Sequence, residues 1–317
     1  MANNKKIKLK WVLAHIPYDL FLRSAAAFAK KAHEISNGAI EIEIMGLDQY
    51  EQKYNHGKKI DKYAVLNMVD NGTIEMSQMY NAQLGAINHD LRSMDLPYLF
   101  DTHEQAKRVL DGDIGVGMLA ALANRSNVRG LAFTYSGGFR IMVGNQPIKS
   151  ADDMAGQRCR VSLSPVAADS FKLLNCEPVA MGVHAVADAL KNNLVDIGEN
   201  TWARFFRSGV NQHATHIANT KHSLFLTAMI INKQVWNSFS PEVQEMLQTA
   251  ALAAAEVERQ ENIVDGEKTM EEAKQAGITV LDWNKDQCDH MKELTRPVYA
   301  QYKNHFTPGL LDRILNS

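Results

Sequence analysis

The feature that most constrains the fold is a helical stretch that runs from Ser240 to Gly277. Serine is a favoured N-cap, Pro241 suits the first helical position, and glycine commonly follows the last turn. The apolar residues between these ends keep helical spacing: Val243, Met246, Leu247, Ala250, Ala254 and Val257. One helix of this length would be about 54 Å long, which is more than a small domain can bury. The stretch therefore predicts a helix that underlies two lobes, unless Asp265-Gly266 kinks or divides it.

Strand-like and helix-like segments alternate along the rest of the chain, which is typical of an α/β fold. Residues 131–145 and 223–232 are β-prone runs that are long enough to pass from one lobe to the other. Residues 48–59 are polar and aperiodic, and we expect a loop there. The remaining predicted strands are 8–15, 39–46, 73–80, 157–163 and 195–202, and the predicted helices are 22–35, 166–174 and 184–192.

The charge balance argues against nucleic acid as a partner, and the lack of a long apolar run argues against a membrane-spanning segment. The chain has 34 basic and 36 acidic residues, a net charge of -2, so it carries no global positive field. No run approaches the roughly 18 apolar residues of a membrane span. The G-x-G-x-x-A string at 115–120 follows a helical segment instead of a strand, so we expect no nucleotide cofactor.

Metal binding and nucleophilic catalysis have little support in the sequence. His213, His216 and His222 lack a carboxylate or thiolate at ligand spacing, and we interpret them as surface or capping residues. No G-x-S-x-G motif occurs. Three cysteines allow at most one disulfide, and we interpret Cys159, Cys176 and Cys288 as packing residues.

A set of polar residues lies at the ends of predicted strands: Arg140, Arg160 and the pair Glu199-Asn200. Ligands of open α/β sheets bind at the carboxyl ends of strands, so these positions indicate a cleft. An arginine donates two parallel hydrogen bonds to a carboxylate and thereby recognises an organic anion. An exposed ion pair is the alternative for any one such arginine.

From Leu96 onward the chain resembles the substrate-binding proteins of TRAP (tripartite ATP-independent periplasmic) transporters. The resemblance is carried by five motifs in order, with a weaker match at 28–44: DLPYLFDTHEQAKRVLDGDIG, GFR (138–140), IKSADDMAGQRCRV (148–161), LVDIGEN (194–200) and the SPEVQ helix start. It implies a two-lobed periplasmic binding fold of type II-like topology, with a long helix spanning both lobes. Lobe I would comprise 1–137 and 226–264, and lobe II 138–225 and 265–317, with hinge strands near 131–145 and 223–232.

The resemblance also implies the function. The protein would be a periplasmic, monomeric receptor without enzyme activity, cofactor or metal, whose signal peptide has been removed. It would bind a small organic acid in the cleft between the lobes, close around it, and deliver it to the membrane permease subunits.

The resemblance further implies the site residues. Arg160 would grip the ligand carboxylate, Arg140 would assist, and Asn200 with Glu199 would face the ligand. The other positions that match the cleft are Ser164 and Val183 in the second lobe, and Ala14, His15, Gln78, Tyr80 and Gln83 in the first.

The chain departs from the family pattern in the stretch 48–59 and after Glu199-Asn200, where Thr201-Trp202 replaces a common proline. Trp202 could stack on a flat ligand or be plain packing, so the identity of the acid stays open. Two other functions also stay open. One is an enzyme that uses Glu199 and a histidine as acid and base, and the other is a sensory ligand-binding module.

Overall fold

The computed structural model describes residues 6–15 and 18–317. The chain folds into two compact units, each built from discontinuous segments. The first unit contains the described part of Met1–Tyr80 together with Val109–Thr134 and Thr227–Gln260. The second unit contains Asn81–Arg108, Tyr135–Leu226 and Glu261–Ser317.

The described residues form ten strands and thirteen α-helices. The strands are β1 (Ile7–Leu13), β2 (Ile40–Gly46), β3 (Met76–Tyr80), β4 (Val128–Gly144), β5 (Arg158–Val161), β6 (Glu177–Ala180), β7 (Ile197–Thr201), β8 (His216–Asn219), β9 (Leu224–Asn232) and β10 (Thr279–Asp282). The helices are α1 (Tyr18–Ile35), α2 (Leu47–Tyr54), α3 (Val65–Asp70), α4 (Asn81–Leu84), α5 (His103–Asp111), α6 (Asp113–Ala120), α7 (Pro165–Lys172), α8 (Val186–Lys191), α9 (Lys233–Asn237), α10 (Pro241–Gln275), α11 (Lys285–Thr295), α12 (Pro297–Tyr302) and α13 (Leu310–Leu315).

The sheet of the first unit has the strand order β2-β1-β3-β9. β1 pairs in parallel with β2 and β3, and α1 is the crossover between β1 and β2, as the opening of the sequence predicts. β9 pairs antiparallel with β3, and β4, whose residues 128–134 belong to this unit, lies on the other side of β9. Trp11 and Val12 of β1 are fully buried, which explains why this strand is central.

The sheet of the second unit is mixed. β5 pairs in parallel with β6 and β7, β7 pairs antiparallel with β4, and β8 lies between β4 and β10. A buried cluster that includes Met142, Cys159, Phe171 and Trp283 forms the core against this sheet.

The long helix is confirmed. α10 begins at Pro241, where the Ser240 hydroxyl accepts the Val243 amide, and it runs without interruption to Gln275. The helix continues through Asp265-Gly266, and Gly277 then adopts the left-handed φ of 81° that ends it. Its residues 241–260 belong to the first unit and 261–275 to the second.

The loop prediction for 48–59 is wrong at its start, where α2 forms. The Gln49 side chain accepts the Gly46 amide at 2.9 Å, and Leu47 and Tyr50 are buried, so capping and two anchors suffice for a helix of two turns. Glu51 then organises the following loop by accepting the Ile60 amide at 2.8 Å. These contacts have no periodic signature in the sequence.

Residues 81–108, which the sequence interpretation places in lobe I, belong to the second unit. The physical reason is local: Tyr98 is part of the second unit's core cluster, and its amide donates to the carbonyl of His222 at 2.6 Å. The strands β4 and β9 pass along the sequence from one unit to the other, at 134–135 and 226–227.

Candidate functional site

Arg160 of β5 is a buried cation that is held by backbone carbonyls. Its Nε and Nη2 donate to the Met181 carbonyl at 3.1 and 2.7 Å, and its Nη1 donates to the Glu199 carbonyl at 3.0 Å. The side chain is 1% exposed. A guanidinium has five N–H donors, so one on each Nη remains for another acceptor. Burial lowers the pKa of Arg160 to about 10, against the opposing effect of Glu199, and the group stays charged at neutral pH.

Arg140 of β4 is a second buried cation. Its Nε lies 3.7 Å from Oε1 of Glu199, and its guanidinium carbon lies 4.1 Å from the centre of the Phe225 ring. Its Nη1 has no hydrogen-bond partner among the described residues, although the side chain is only 4% exposed. Because an unsatisfied buried donor is costly, this atom is a position where an acceptor would bind.

Glu199 of β7 carries the negative charge between these arginines. Its Oε2 accepts the Ser162 amide at 2.7 Å, and its Oε1 lies 3.2 Å from Nε2 of His222. Burial raises the pKa of Glu199, but Arg140, His222 and Arg160 more than offset this and lower the pKa to about 2. The carboxylate is therefore ionised at neutral pH and accepts an N–H from His222. The other ring nitrogen of His222 lies 2.7 Å from the Thr220 hydroxyl.

A small pocket, with a volume of about 10 Å³, lies beside Arg140 and Glu199 in the second unit. Asp95 also contributes to its wall, and burial raises the pKa of Asp95 against the opposing effects of Ser164, Arg140 and Asn81. The full lining is Asp95, Pro97, Arg140, Ser162, Ala167, Ser170, Phe171, Glu199, His222 and Ser223.

The arrangement favours binding of an anion. Two buried guanidinium groups keep donors to spare, and Glu199 is committed to protein partners. Within residues 6–15 and 18–317, no group of three His, Cys, Asp or Glu side chains is placed to hold a metal ion. A carboxylate that stays ionised down to about pH 2 is also a poor general acid at neutral pH.

The structure brings four of the predicted residues of the second unit to the neighbouring strands β4, β5 and β7, and two of them, Arg140 and Glu199, line the pocket. Asn200 is buried, and its amide donates to the Ser208 hydroxyl at 3.4 Å. Ser164 is the buried N-cap residue of α7, and Val183 is buried at the turn before α8. Trp202 is placed elsewhere: its indole donates to Asn219 at 3.1 Å and lines a separate groove.

The predicted residues of the first unit form two arrangements. His15 and Tyr80 have ring centres 4.2 Å apart, and His15 is buried beside Ala14. Gln78 donates to the hydroxyls of Thr134 and Thr227, each at 2.8 Å, and also accepts from the Ser24 hydroxyl. The Gln78 amide is thus part of a buried hydrogen-bond network. Gln83 lies in α4 and belongs to the second unit.

Eight pocket residues have no role in the sequence-based site: Asp95, Pro97, Ser162, Ala167, Ser170, Phe171, His222 and Ser223. The sequence favours a surface or capping role for His222; it is 2% exposed and bonded to Glu199, so the surface alternative is wrong. Ser162 follows β5 directly and could have been found from its place at a strand end. The pairing of His222 with Glu199 bridges 23 positions and has no local signal.

Comparison with known proteins places the chain in a family. The family model described as bacterial extracellular solute-binding protein, family 7, matches residues 17–305. The C4-dicarboxylate-binding protein DctB of Bacillus subtilis is 27% identical over 92% of this chain and 81% of its own. The C4-dicarboxylate-binding periplasmic protein DctP of Rhodobacter capsulatus is 27% identical over 90% and 80%.

A solved structure shows the same fold. The TRAP periplasmic solute-binding protein of Xanthobacter autotrophicus, with bound β-D-galacturonate, superposes with a TM-score of 0.83 at 24% identity. It covers 98% of this chain and 99% of its own. Within the described residues, no helix combines the length and hydropathy needed to cross a bilayer. The match across 17–305 makes this chain a member of the bacterial extracellular solute-binding protein family 7, whose proteins are solute receptors outside the cytoplasm.

Proposed function

We propose that this protein is a non-enzymatic receptor that binds the carboxylate of a small organic acid at Arg160 and Arg140. It then delivers the acid to a TRAP-type permease and acts as a monomer. The observation that carries this proposal is the pair of buried guanidinium groups that retain N–H donors, of which Arg140 lines the pocket. A carboxylate supplies two acceptor oxygens in one plane, which matches such donors.

The relatives support an acid as the ligand. Two of them are named for C4-dicarboxylates, and the solved structure contains galacturonate, which is a sugar acid. These ligands differ in size and hydroxylation but share a carboxylate. We infer that the arginines recognise this shared group, and that other residues determine which acid is bound.

The electrostatics of Glu199 favour a receptor over an enzyme. An acid–base mechanism that used Glu199 and His222 would need a carboxyl group able to exchange a proton near neutral pH. The pKa of Glu199 is instead lowered to about 2, and both of its oxygens accept protein N–H groups. We therefore expect the bound acid to be released unchanged, which mass spectrometry of the acid after incubation would check.

The ligand class is tested by a thermal-shift screen with C4-dicarboxylates, uronates and short hydroxy acids. A ligand present at 100 times its Kd stabilises the folded state by about 2.7 kcal/mol. We expect a rise in Tm with at least one acid and none with its neutral amide. An equal response to acid and amide would contradict recognition of the carboxylate.

The role of Arg160 is tested by calorimetry on Arg160→Ala with the acid that the screen identifies. Loss of a buried charge partner costs about 2–5 kcal/mol, so we expect the affinity to fall roughly 30-fold or more. Arg160→Lys should also bind weakly, because a lysine loses the planar fork.

Arg158→Ala is the matched control, because Arg158 lies on the same strand. Its guanidinium forms a 2.6 Å ion pair with Asp196 at the surface, and its side chain is 39% exposed. We expect this variant to bind as the parent protein does. Equal affinity of Arg160→Ala and Arg158→Ala would refute the assignment of Arg160.

Uptake by the permease in proteoliposomes should require the receptor, and light scattering should show a monomer.

A further inference from the structure

Cys159 lies on β5, and Cys176 directly precedes the adjacent strand β6 of the second unit. β5 and β6 pair in parallel, with Arg158 opposite Glu177 and Cys159 opposite Pro178. Cys176 comes two positions before Pro178, and residues two apart in an extended chain face the same side of a sheet. The amide of Glu177 donates to the Gln157 carbonyl at 2.9 Å, so the pairing extends to the end where Cys176 lies.

Both thiols point into the same core. Cys159 is 0% exposed and Cys176 is 8% exposed, and both belong to the buried cluster under this sheet. Burial, together with the neighbouring Cys176 thiol, raises the pKa of Cys159. Cys288, on α11, also packs against this cluster, but its thiol interacts with Tyr98 and lies 3.8 Å from the Thr220 carbonyl oxygen. Only one pairing among the three cysteines therefore fits these contacts.

Proteins of this family function outside the cytoplasm, where thiols that lie together are oxidised. We propose that Cys159 and Cys176 form a disulfide bond in the exported protein, leaving Cys288 as a thiol. This inference rests on the extracytoplasmic location and does not need the proposed ligand.

The reaction is a thiol–disulfide exchange with the disulfide of a thiol oxidoreductase. One cysteine thiolate attacks that disulfide, forms a mixed disulfide and expels a thiolate of the oxidoreductase. The second cysteine then attacks the mixed disulfide and expels the other. The two cysteines lose two protons and two electrons, and the oxidoreductase ends as a dithiol. Because the folded protein buries both thiols, the bond forms while the chain is still folding.

The bond would join the two segments that hold Arg160. Arg160 follows Cys159 directly, and the Met181 carbonyl that accepts from its guanidinium follows β6. The covalent loop would contain α7 and would restrict the unfolded chain. We expect the oxidised protein to melt about 5 °C or more above the reduced protein.

The test compares protein exported to the periplasm of a bacterial host with protein made in its reducing cytoplasm. Each sample is denatured, alkylated without reductant and weighed by mass spectrometry. We expect one alkylated thiol after export and three after cytoplasmic synthesis, with a Cys159–Cys176 peptide pair in the non-reducing digest. Three alkylated thiols after export, or a pair that includes Cys288, would overturn the proposal.

Variants separate the two possible partners of each cysteine. Exported Cys288→Ser should show no alkylated thiol, and exported Cys159→Ser should show two. The stabilising effect of the disulfide bond is tested on Cys288→Ser by differential scanning calorimetry before and after reduction. Equal melting temperatures would overturn that role. Thiol counting needs no ligand, so its outcome is independent of the carboxylate screen.

Discussion

Replacement of Glu199 by glutamine tests whether one buried carboxylate offsets the charge of the two arginines. The pKa of Glu199 is lowered from 4.5 to about 2, which corresponds to about 3 kcal/mol of folding free energy. Because the pKa is lower in the folded protein, this stability is present above pH 4.5. It is lost as the pH falls from about 5 towards 2. Glu199→Gln removes the charge and should lower the free energy of unfolding at pH 7 by about 3–5 kcal/mol.

The assay is urea unfolding followed by circular dichroism at pH values of about 7, 5, 4 and 3. The difference in the free energy of unfolding between the parent protein and Glu199→Gln should be largest at pH 7 and should decrease steadily below pH 5. Glu177→Gln, at an exposed carboxylate of β6, is the control and should track the parent protein. A difference in the free energy of unfolding that stays the same at every pH would refute the reasoning.

Three further changes test other parts of the molecule. Gly137→Ala should lower Tm far more than Gly156→Ala, although both glycines have positive φ, because only at Gly137 would the new Cβ lie 2.1 Å from the Thr201 hydroxyl oxygen. Gly156→Ala should cost about 1 kcal/mol in a urea titration, and equal losses would contradict the steric argument. Gln78→Ala should cost about 2–4 kcal/mol in the same assay, because it removes the amide that joins three buried hydroxyls. Asp95→Asn should raise the stability at pH 7, because burial raises the pKa of this carboxyl; the gain should shrink as the pH falls through that raised pKa and be gone by about pH 4, and a loss at pH 7 would contradict this.

The sequence predicts the elements whose signals are local. Ser240, Pro241 and Gly277 mark the ends of the long helix, and the β-prone run 223–232 contains β9. α2 is missed because its stability comes from the Gln49 cap and two buried anchors, which leave no periodic pattern.

The candidate site is also predicted only in part. Arg140, Arg160 and Glu199 lie at strand positions that the sequence identifies, and the family resemblance assigns their expected roles. The contact between Glu199 and His222, and the place of Asp95 in the pocket wall, depend on how distant segments pack. Trp202 shows the converse: its position after β7 suggests a ligand contact, but its indole pairs with Asn219.

The guanidinium of Arg160 is oriented by the main chain at Met181 and Glu199, not by neighbouring side chains. Every amino acid supplies a main-chain carbonyl group, so we expect substitutions at position 181 to leave the orientation of the Arg160 guanidinium unchanged. Receptors built in this way can diversify the walls around a constant charge, and new specificities can arise without rebuilding the element that captures the anion.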